Sequence, residues 1–259
     1  MHGVCTDAMG YAMDGLQALD LALFAAGAFA AAFVTGIAGF AFGVVAAAVW
    51  LHVLTPVQAA ALIVVFGLIV QGWSVWKLRA ALRWSRVLPF VIGGIIGVPL
   101  GAEVLRWTNP TSLRMAVGAI LVLFSLYMLF RPKLVSAAGA GRAADGAVGI
   151  VNGMIGAATG LAGIAGVVWC SMRGWSPAEQ RATFQPAGVA VFAATALWLG
   201  GTGMIGRDVL GLFVIGLPAL AIGSWAGLKL FGKLNDQAFR RVVLGLLLIS
   251  GASLLLIGR

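Results

Sequence analysis

The sequence Thr-Gly-Ile-Ala-Gly at residues 35–39 returns, with one change, as Thr-Gly-Leu-Ala-Gly at residues 159–163. Each pentapeptide is a small polar segment in the middle of a long apolar run, and the two lie about half the chain apart. Glycine permits turns and close backbone approaches that other residues resist. The repeat therefore predicts a duplicated chain with the same special feature at corresponding places.

The composition around these segments defines the class of protein. Hydrophobic residues make up 61% of the chain and charged residues 10%, against roughly 45–50% and about 25% in soluble domains. No Asp, Glu, Lys or Arg occurs from Leu21 to Trp76, and later uncharged runs approach the ~20 residues of a membrane helix. We therefore expect an all-α polytopic membrane protein. The net charge of +9 is interpreted as loop charge that sets orientation, not as nucleic-acid binding.

Helix-start signals recur in the same order in both halves. The first apolar run, about 16–54, is too long for one span and is interrupted at 35–39. It is followed by a capped start with an N1 proline at residues 55–58, and the second broken run, 146–172, is followed by an equivalent start at residues 176–179. The expected division is a first transmembrane repeat at 1–131, a cytoplasmic linker at 132–145 and a second transmembrane repeat at 146–259.

Paired glycines support the same repeat. Gly97 and Gly101 on a helix of the first half match Gly223 and Gly227 in the second, and such spacing lets membrane helices approach closely. We expect two inverted repeats, each a broken or re-entrant hairpin followed by three transmembrane helices.

The distribution of basic residues favours the inverted arrangement. Four simple spans in each half would give parallel repeats, with nine basic residues inside and eight outside. A hairpin that returns to its starting side inverts the second half, and with both termini outside the division becomes thirteen inside and four outside, as the positive-inside rule expects. The thirteen are Lys77, Arg79, Arg83, Arg86, Arg131, Lys133, Arg142, Arg173, Arg181, Lys229, Lys233, Arg240 and Arg241. The N-terminus has no basic n-region, so no cleavable signal peptide is expected.

The broken segments predict a site for a small anion. A helix that breaks inside a membrane leaves backbone N–H groups in need of partners, and the positive end of the helix that restarts attracts negative charge. Inverted repeats with matching breaks are typical of transporters. The candidate substrate-binding residues at the two tips are Thr35, Gly36, Gly39, Phe40, Thr159, Gly160 and Gly163. Tight helix packing is the alternative explanation of these small residues.

Further candidates make the two halves unequal. Arg181, Thr183 and Gln185 follow the second capped start, where the first half has only apolar residues. Arg181 and Gln185 share a helix face and suit an oxyanion, although Arg181 could instead lie at the cytoplasmic surface. Gln71 and Asn152 lie within apolar runs, where they serve either the substrate or a hydrogen bond between helices. Glu103 is the acid expected nearest the membrane interior.

These residues resemble the TauE/SafE family of sulfite exporters over about residues 21–258. The resemblance is carried by the glycine segment that begins each half, the starts at Pro56 and Pro177, and the two glycine pairs. It implies transport of sulfite, organosulfonates or related small sulfur-containing anions across a bacterial inner membrane. Family members often have a denser Gly-x-Gly-Gly at the tips, so the substrate subtype stays open.

The expected partners are a small anionic substrate and the lipid bilayer, with no nucleic acid, metal or cofactor. A monomer and a homodimer are both open. The leading expectation is export by alternating access. An anion channel, proton-linked uptake of an organosulfonate or small carboxylate, and a non-transporting scaffold are the alternatives. An enzyme is not expected, because no cluster of His, Asp, Glu or Cys lies within the apolar runs.

Cysteine labelling separates the inverted from the parallel arrangement. In a background with Cys5 and Cys170 replaced by alanine, we expect Arg83→Cys and Lys233→Cys both to react with a membrane-impermeant maleimide from the cytoplasmic side. The parallel arrangement places position 233 outside. Reaction of Lys233→Cys from the external side alone would therefore contradict the inverted arrangement.

Overall fold

The computed structural model describes residues 18–38, 41–78, 82–130, 137, 139–230 and 236–257, which form ten helices and no strand. The helices of the first half are α1 (Ala18–Ala38), α2 (Phe42–Trp50), α3 (Pro56–Leu78), α4 (Trp84–Trp107) and α5 (Pro110–Phe130). Those of the second half are α6 (Arg142–Thr159), α7 (Ile164–Met172), α8 (Pro177–Gly201), α9 (Arg207–Leu230) and α10 (Asp236–Ile257). The all-α prediction is confirmed, and α6 begins four residues before the predicted second apolar run.

Six helices are long and apolar enough to cross a membrane, judged by length and composition among the described residues. They are α1, α3, α4, α5, α8 and α9, while the apolar part of α10, Arg241–Leu256, is shorter. This set differs from the predicted three helices per half, because it includes α1 and omits α10. Large apolar side chains such as Leu197, Leu246 and Ile249 point outward with more than half their surface exposed, as lipid contact requires.

The first broken run is a helical hairpin, since α2 returns along α1. The indole Nε1 of Trp50, the last residue of α2, donates to the Phe24 carbonyl near the start of α1 at 3.0 Å. The two rings also lie 5.1 Å apart between centroids. Gly27 faces the same indole, and a methyl group there would lie 2.7 Å from Nε1. The hairpin tip therefore lies between the end of α1 and the start of α2.

The second broken run forms the corresponding hairpin. The indole Nε1 of Trp169 on α7 donates to the Asp145 carboxylate in the first turn of α6 at 2.7 Å. Arg173, which follows α7, pairs with the same carboxylate at 3.7 Å. In each hairpin the first helix (α1 or α6) is the entering arm and the second (α2 or α7) is the returning arm. In both, a tryptophan of the returning arm forms a hydrogen bond near the start of the entering arm. The tip of the second hairpin lies at residues 160–163.

The glycine pairs join each half to the other. Gly97 and Gly101 on α4 pack against the backbone of Ile150 and Met154 on α6. Gly223 and Gly227 on α9 pack in the same way against α1, where Gly36 lies on Gly227 with room for no methyl group. In each pair, later residues of one helix contact later residues of the other, so the two helices of each pair are parallel. Each entering arm is therefore held by the fourth helix of the opposite half.

Loop contacts gather at two opposite ends of the fold. At one end, the Thr55 face, Gln58 Nε2 donates to Asp208 at 2.6 Å and Arg114 donates to the Leu54 carbonyl at 3.2 Å. At the other end, the Ser176 face, Arg86 donates to Glu179 at 2.8 Å. Each face carries the capped start that follows a hairpin.

Candidate substrate site

The tips of the two hairpins meet around one small cavity of about 30 Å³. A methyl group on Gly43, at the start of α2, would lie 2.8 Å from the Gly160 carbonyl oxygen of the other tip. Helices α3, α5 and α8 close the sides. The described lining residues are Ala41, Phe42, Gly43, Val44, Gln71, Phe124, Gly160, Leu161, Ala162, Gly163, Ile164, Val167 and Phe184.

The starts of α2 and α7 both line this cavity without side-chain caps. The first three N–H groups of a helix have no acceptor within it, and the N-cap residues Ala41 and Gly163 have no side-chain oxygen that could accept from them. The helices that follow each hairpin differ, because Thr55 and Ser176 cap α3 and α8 through their side chains. The uncapped N–H groups at the tips are therefore available to a ligand, and the positive ends of two helix dipoles meet there.

Both tip N-caps have left-handed backbone. Ala41 has φ 84° and Gly163 has φ 119°, whereas an N-cap residue is usually extended. A left-handed alanine costs about 1–2 kcal/mol, and Ala41 is the one non-glycine residue with positive φ among the described residues. Unusual backbone of this kind persists where the surrounding structure enforces it, often at functional sites. Here it turns the chain so that α2 and α7 begin at the cavity.

Asn152 holds the second tip in shape. Its side-chain oxygen accepts a hydrogen bond from the Gly163 backbone N–H at 2.7 Å, in a position where Asn152 is only 4% exposed. This bond spans the two arms of the hairpin. Asn152 was predicted as a substrate ligand or a hydrogen-bonding residue between helices, and the structure places it behind the tip, bound to the backbone that lines the cavity.

Gln71 contributes the polar side chain among the described lining residues. It lies on α3, is 8% exposed, and its Oε1 would be 3.4 Å from a methyl group on Gly188 of α8. The described lining carries no charged side chain. An anion in the cavity would therefore be bound by backbone N–H groups and an amide, not by a fixed positive charge.

The two threonines are engaged within their own helices. Thr35 Oγ1 donates to the Ala31 carbonyl at 2.7 Å, and Thr159 Oγ1 donates to Ile155 at 2.6 Å. The Thr159 oxygen also accepts the Leu161 N–H at 3.2 Å. Each hydroxyl proton is thus already used. Gly36 packs on α9, while Gly39 and Phe40 lie outside the described residues.

None of the three predicted residues of α8 is among the described residues that line the cavity. Thr183 and Gln185 are buried, and Thr183 Oγ1 donates to the Glu179 carbonyl at 2.9 Å. Arg181 is half-buried near the Ser176 face. Phe184, between the buried pair, is the α8 residue that lines the cavity.

Three features were missed by sequence reasoning. Phe124 and Phe184 line the cavity but looked like ordinary apolar residues. Asp145 is a buried carboxylate, 4% exposed, although it was assigned to the linker. Glu103, the acid expected nearest the membrane interior, is exposed on α4 and accepts from the Trp107 indole at 2.6 Å. Asp145 stands directly before an apolar run, as acids in the first turn of a helix often do. That position could have indicated that Asp145 belongs to the helix and not to the linker.

Comparison with known families gives one match, to the model described as Sulfite exporter TauE/SafE, over residues 23–254. The chain belongs to the TauE/SafE family. The resemblance seen in the glycine segments is thereby confirmed, and with it a membrane transporter of the sulfite-exporter type. No match was found among curated proteins or among solved structures.

Replacing Asn152 tests how the second tip is held. Asn152→Ala leaves the Gly163 N–H buried without its acceptor, which costs about 1–3 kcal/mol of unfolding free energy. We expect lower thermal stability and reduced sulfite flux in proteoliposomes. Asn109→Ala is the matched control, because Asn109 caps the exposed start of α5 and accepts a hydrogen bond from the Ser112 N–H at 2.7 Å. Equal flux in the two variants would contradict a role for Asn152 in shaping the tip.

Proposed function

We propose that this TauE/SafE member is a permease that binds one small sulfur oxyanion, sulfite above all, between the starts of α2 and α7. The observation that carries the proposal is the meeting of two uncapped helix starts at one cavity. Such starts bind anions through backbone N–H groups and helix dipoles. Family membership supplies the substrate class.

The size of the cavity favours a small substrate. Its volume of about 30 Å³ is far below the roughly 300–1,000 Å³ of sites for drug-sized ligands. Sulfite and hydrogensulfite have four heavy atoms, whereas organosulfonates add a carbon chain. The tight contact of Gly43 with Gly160 leaves little room for such a chain.

The chemistry of the lining favours a single negative charge. Removal of an ion from water costs free energy that rises steeply with charge, and the described lining offers N–H groups and Gln71 without a cation. Hydrogensulfite, the monoanion, suits this surface better than the sulfite dianion. It also brings its own proton, so proton-linked movement needs no carboxylate in the cavity.

The directions of the helices support the inverted arrangement. Because α2 and α7 return toward the ends where α1 and α6 begin, each half adds an odd number of crossings, and the second half starts from the opposite side. Parallel packing of α4 with α6 and of α9 with α1 is compatible with this arrangement. It assigns the Ser176 face to the cytoplasm and both termini to the outside of a bacterial inner membrane.

Alternating access would open the two faces in turn. In such a cycle the contact between Gln58 and Asp208 breaks when the Thr55 face opens, and the pair of Arg86 with Glu179 breaks when the Ser176 face opens. A negative cell interior favours outward movement of an anion by about 2.3 kcal/mol per charge per 100 mV. Export therefore proceeds without a coupled ion, and no chemical transformation of the substrate is required.

Gln71→Leu tests the cavity as the binding site. Leucine has a size similar to that of glutamine but lacks the amide donor. Loss of one hydrogen bond to a charged ligand costs about 1.5–3 kcal/mol of binding free energy. We expect the KM for sulfite in proteoliposomes to rise about tenfold or more, with counterflow retained at saturating substrate.

Thr35→Val is the companion variant, because the Thr35 hydroxyl is bound to Ala31 within α1. It should change KM much less than Gln71→Leu. A larger rise in KM for Thr35→Val than for Gln71→Leu would place the site at the threonines instead of the cavity. Sulfite flux without counterflow in the wild-type protein would favour a channel.

A further inference from the structure

A cluster of arginines surrounds one carboxylate at the Ser176 face. Arg86 Nη1 lies 2.8 Å from Glu179 Oε1, and Arg83 Nη1 lies 3.8 Å from the same oxygen. The Arg86 guanidinium also stacks on Trp175 at 5.0 Å from the ring centroid, and Arg173 lies over that ring at 5.3 Å. Arg86 is thus positioned by the aromatic ring as well as by Glu179.

The two oxygens of Glu179 serve different partners. Oε2 accepts from the Ser176 backbone N–H at 3.1 Å and completes the cap of α8, while Oε1 faces the arginines. In the first half Gln58 forms the same cap, accepting from the Thr55 N–H at 3.1 Å through its amide oxygen. The cap therefore does not need a negative charge. The feature of the Ser176 face that a neutral residue at this cap would not match is the pairing of Oε1 with the two arginines.

The position of the cluster relates it to the cavity. Phe184 lines the cavity and follows Glu179 on α8 by five residues, an axial rise of about 7.5 Å. At the Thr55 face Ile63 follows Gln58 by the same interval and packs on Gly160 at the tip. The two contacts thus lie at equivalent distances on opposite sides of the cavity. They differ in their partners, because Gln58 binds Asp208 whereas Glu179 binds arginines.

We propose that Arg86 and Arg83 form a binding subsite for a small oxyanion at the mouth of the cavity, and that the Glu179 carboxylate occupies it in this structure. The carboxylate oxygen stands in for an oxygen of the substrate, since guanidinium groups bind carboxylates and other oxyanions in the same geometry. This inference rests on the proposed function, which places the Ser176 face in the cytoplasm. The subsite collects the anion there before it sheds water and enters the uncharged cavity.

Release of Glu179 would leave the subsite formed. Stacking on Trp175 keeps Arg86 in place, and both members of the ion pair are about one-third exposed, 32% for Arg86 and 35% for Glu179. Exchange of one oxyanion for another at an exposed pair is a small free-energy change. Glu179 therefore competes with the substrate, and its displacement coincides with opening of the face.

Glu179→Gln is the direct test, because it removes the competing charge and installs the residue that caps α3 in the other half. Purified full-length protein is titrated with sulfite and with sulfate in a thermal-shift assay, with chloride as reference. We expect half-maximal stabilisation at an oxyanion concentration about two- to fivefold lower than in the wild type. The double variant Glu179→Gln/Arg86→Gln should lose this gain, and Glu179→Gln/Arg86→Lys, which keeps the charge and should fold alike, should lose most of it.

Asp208→Asn is the matched control, since it removes one carboxylate charge from the equivalent contact at the Thr55 face and should leave the oxyanion response at the wild-type value. An unchanged midpoint in Glu179→Gln would overturn the subsite, as would the same gain in Asp208→Asn or a gain that survives in both double variants. Wild-type proteoliposomes separate the two proposals. An Arg86-dependent gain without sulfite flux contradicts the transport proposal alone, whereas flux without the gain contradicts the subsite alone.

Discussion

The backbone N–H groups at the starts of α2 and α7 are the constraint on which this structure depends. In a membrane interior each such group needs a partner, and leaving one without costs several kcal/mol. Elsewhere the chain solves this problem with side chains, as Thr55 and Ser176 do for α3 and α8. At the tips it does not. Apolar lining, left-handed N-caps and the closure of each hairpin by a tryptophan all maintain two uncapped starts at one cavity.

The two halves agree in architecture and differ in chemistry. Asn152 binds the Gly163 N–H of the second tip, and at the corresponding place in the first half stands the fully buried Ala28. Gln58 and Glu179 occupy equivalent cap positions, but one meets an aspartate and the other meets arginines. The similar architecture of the two halves thus positions the cavity, while a few residues that differ between the halves distinguish the Thr55 face from the Ser176 face.

Much of the fold could be predicted from the sequence because its signals are local. Broken apolar runs, the capped starts at Thr55 and Ser176, and the glycine pairs all report on neighbouring residues. The partners of those glycines could not be predicted. Gly97 and Gly101 pack on α6 of the other half, and such long-range packing leaves no trace in the local pattern. The topology prediction of inverted repeats came from charge and stays a prediction.

The site was predicted less completely, for the same physical reason. The sequence drew attention to the polar atoms of Thr35 and Thr159, but a threonine in a helix readily bonds back to the preceding turn, as both do here. The donors proposed at the cavity are backbone N–H groups, which every residue except proline carries. The broken segments predicted such donors in general but not the residues at which α2 and α7 begin. Gln71 was identified because an amide within an apolar run is conspicuous. Phe124 and Phe184 were not, because an aromatic residue there looks like ordinary core.

The proposed site holds one oxyanion between the starts of α2 and α7. Selenite has the pyramidal shape of sulfite and scatters anomalously, so crystals of the protein grown with selenite locate the anion directly. We expect an anomalous peak within hydrogen-bonding reach of the first-turn N–H groups of both helices and of the Gln71 side chain. A crystal in which the cavity is empty while selenite binds at Thr35 or Thr159, or at no site within the membrane region, would contradict it.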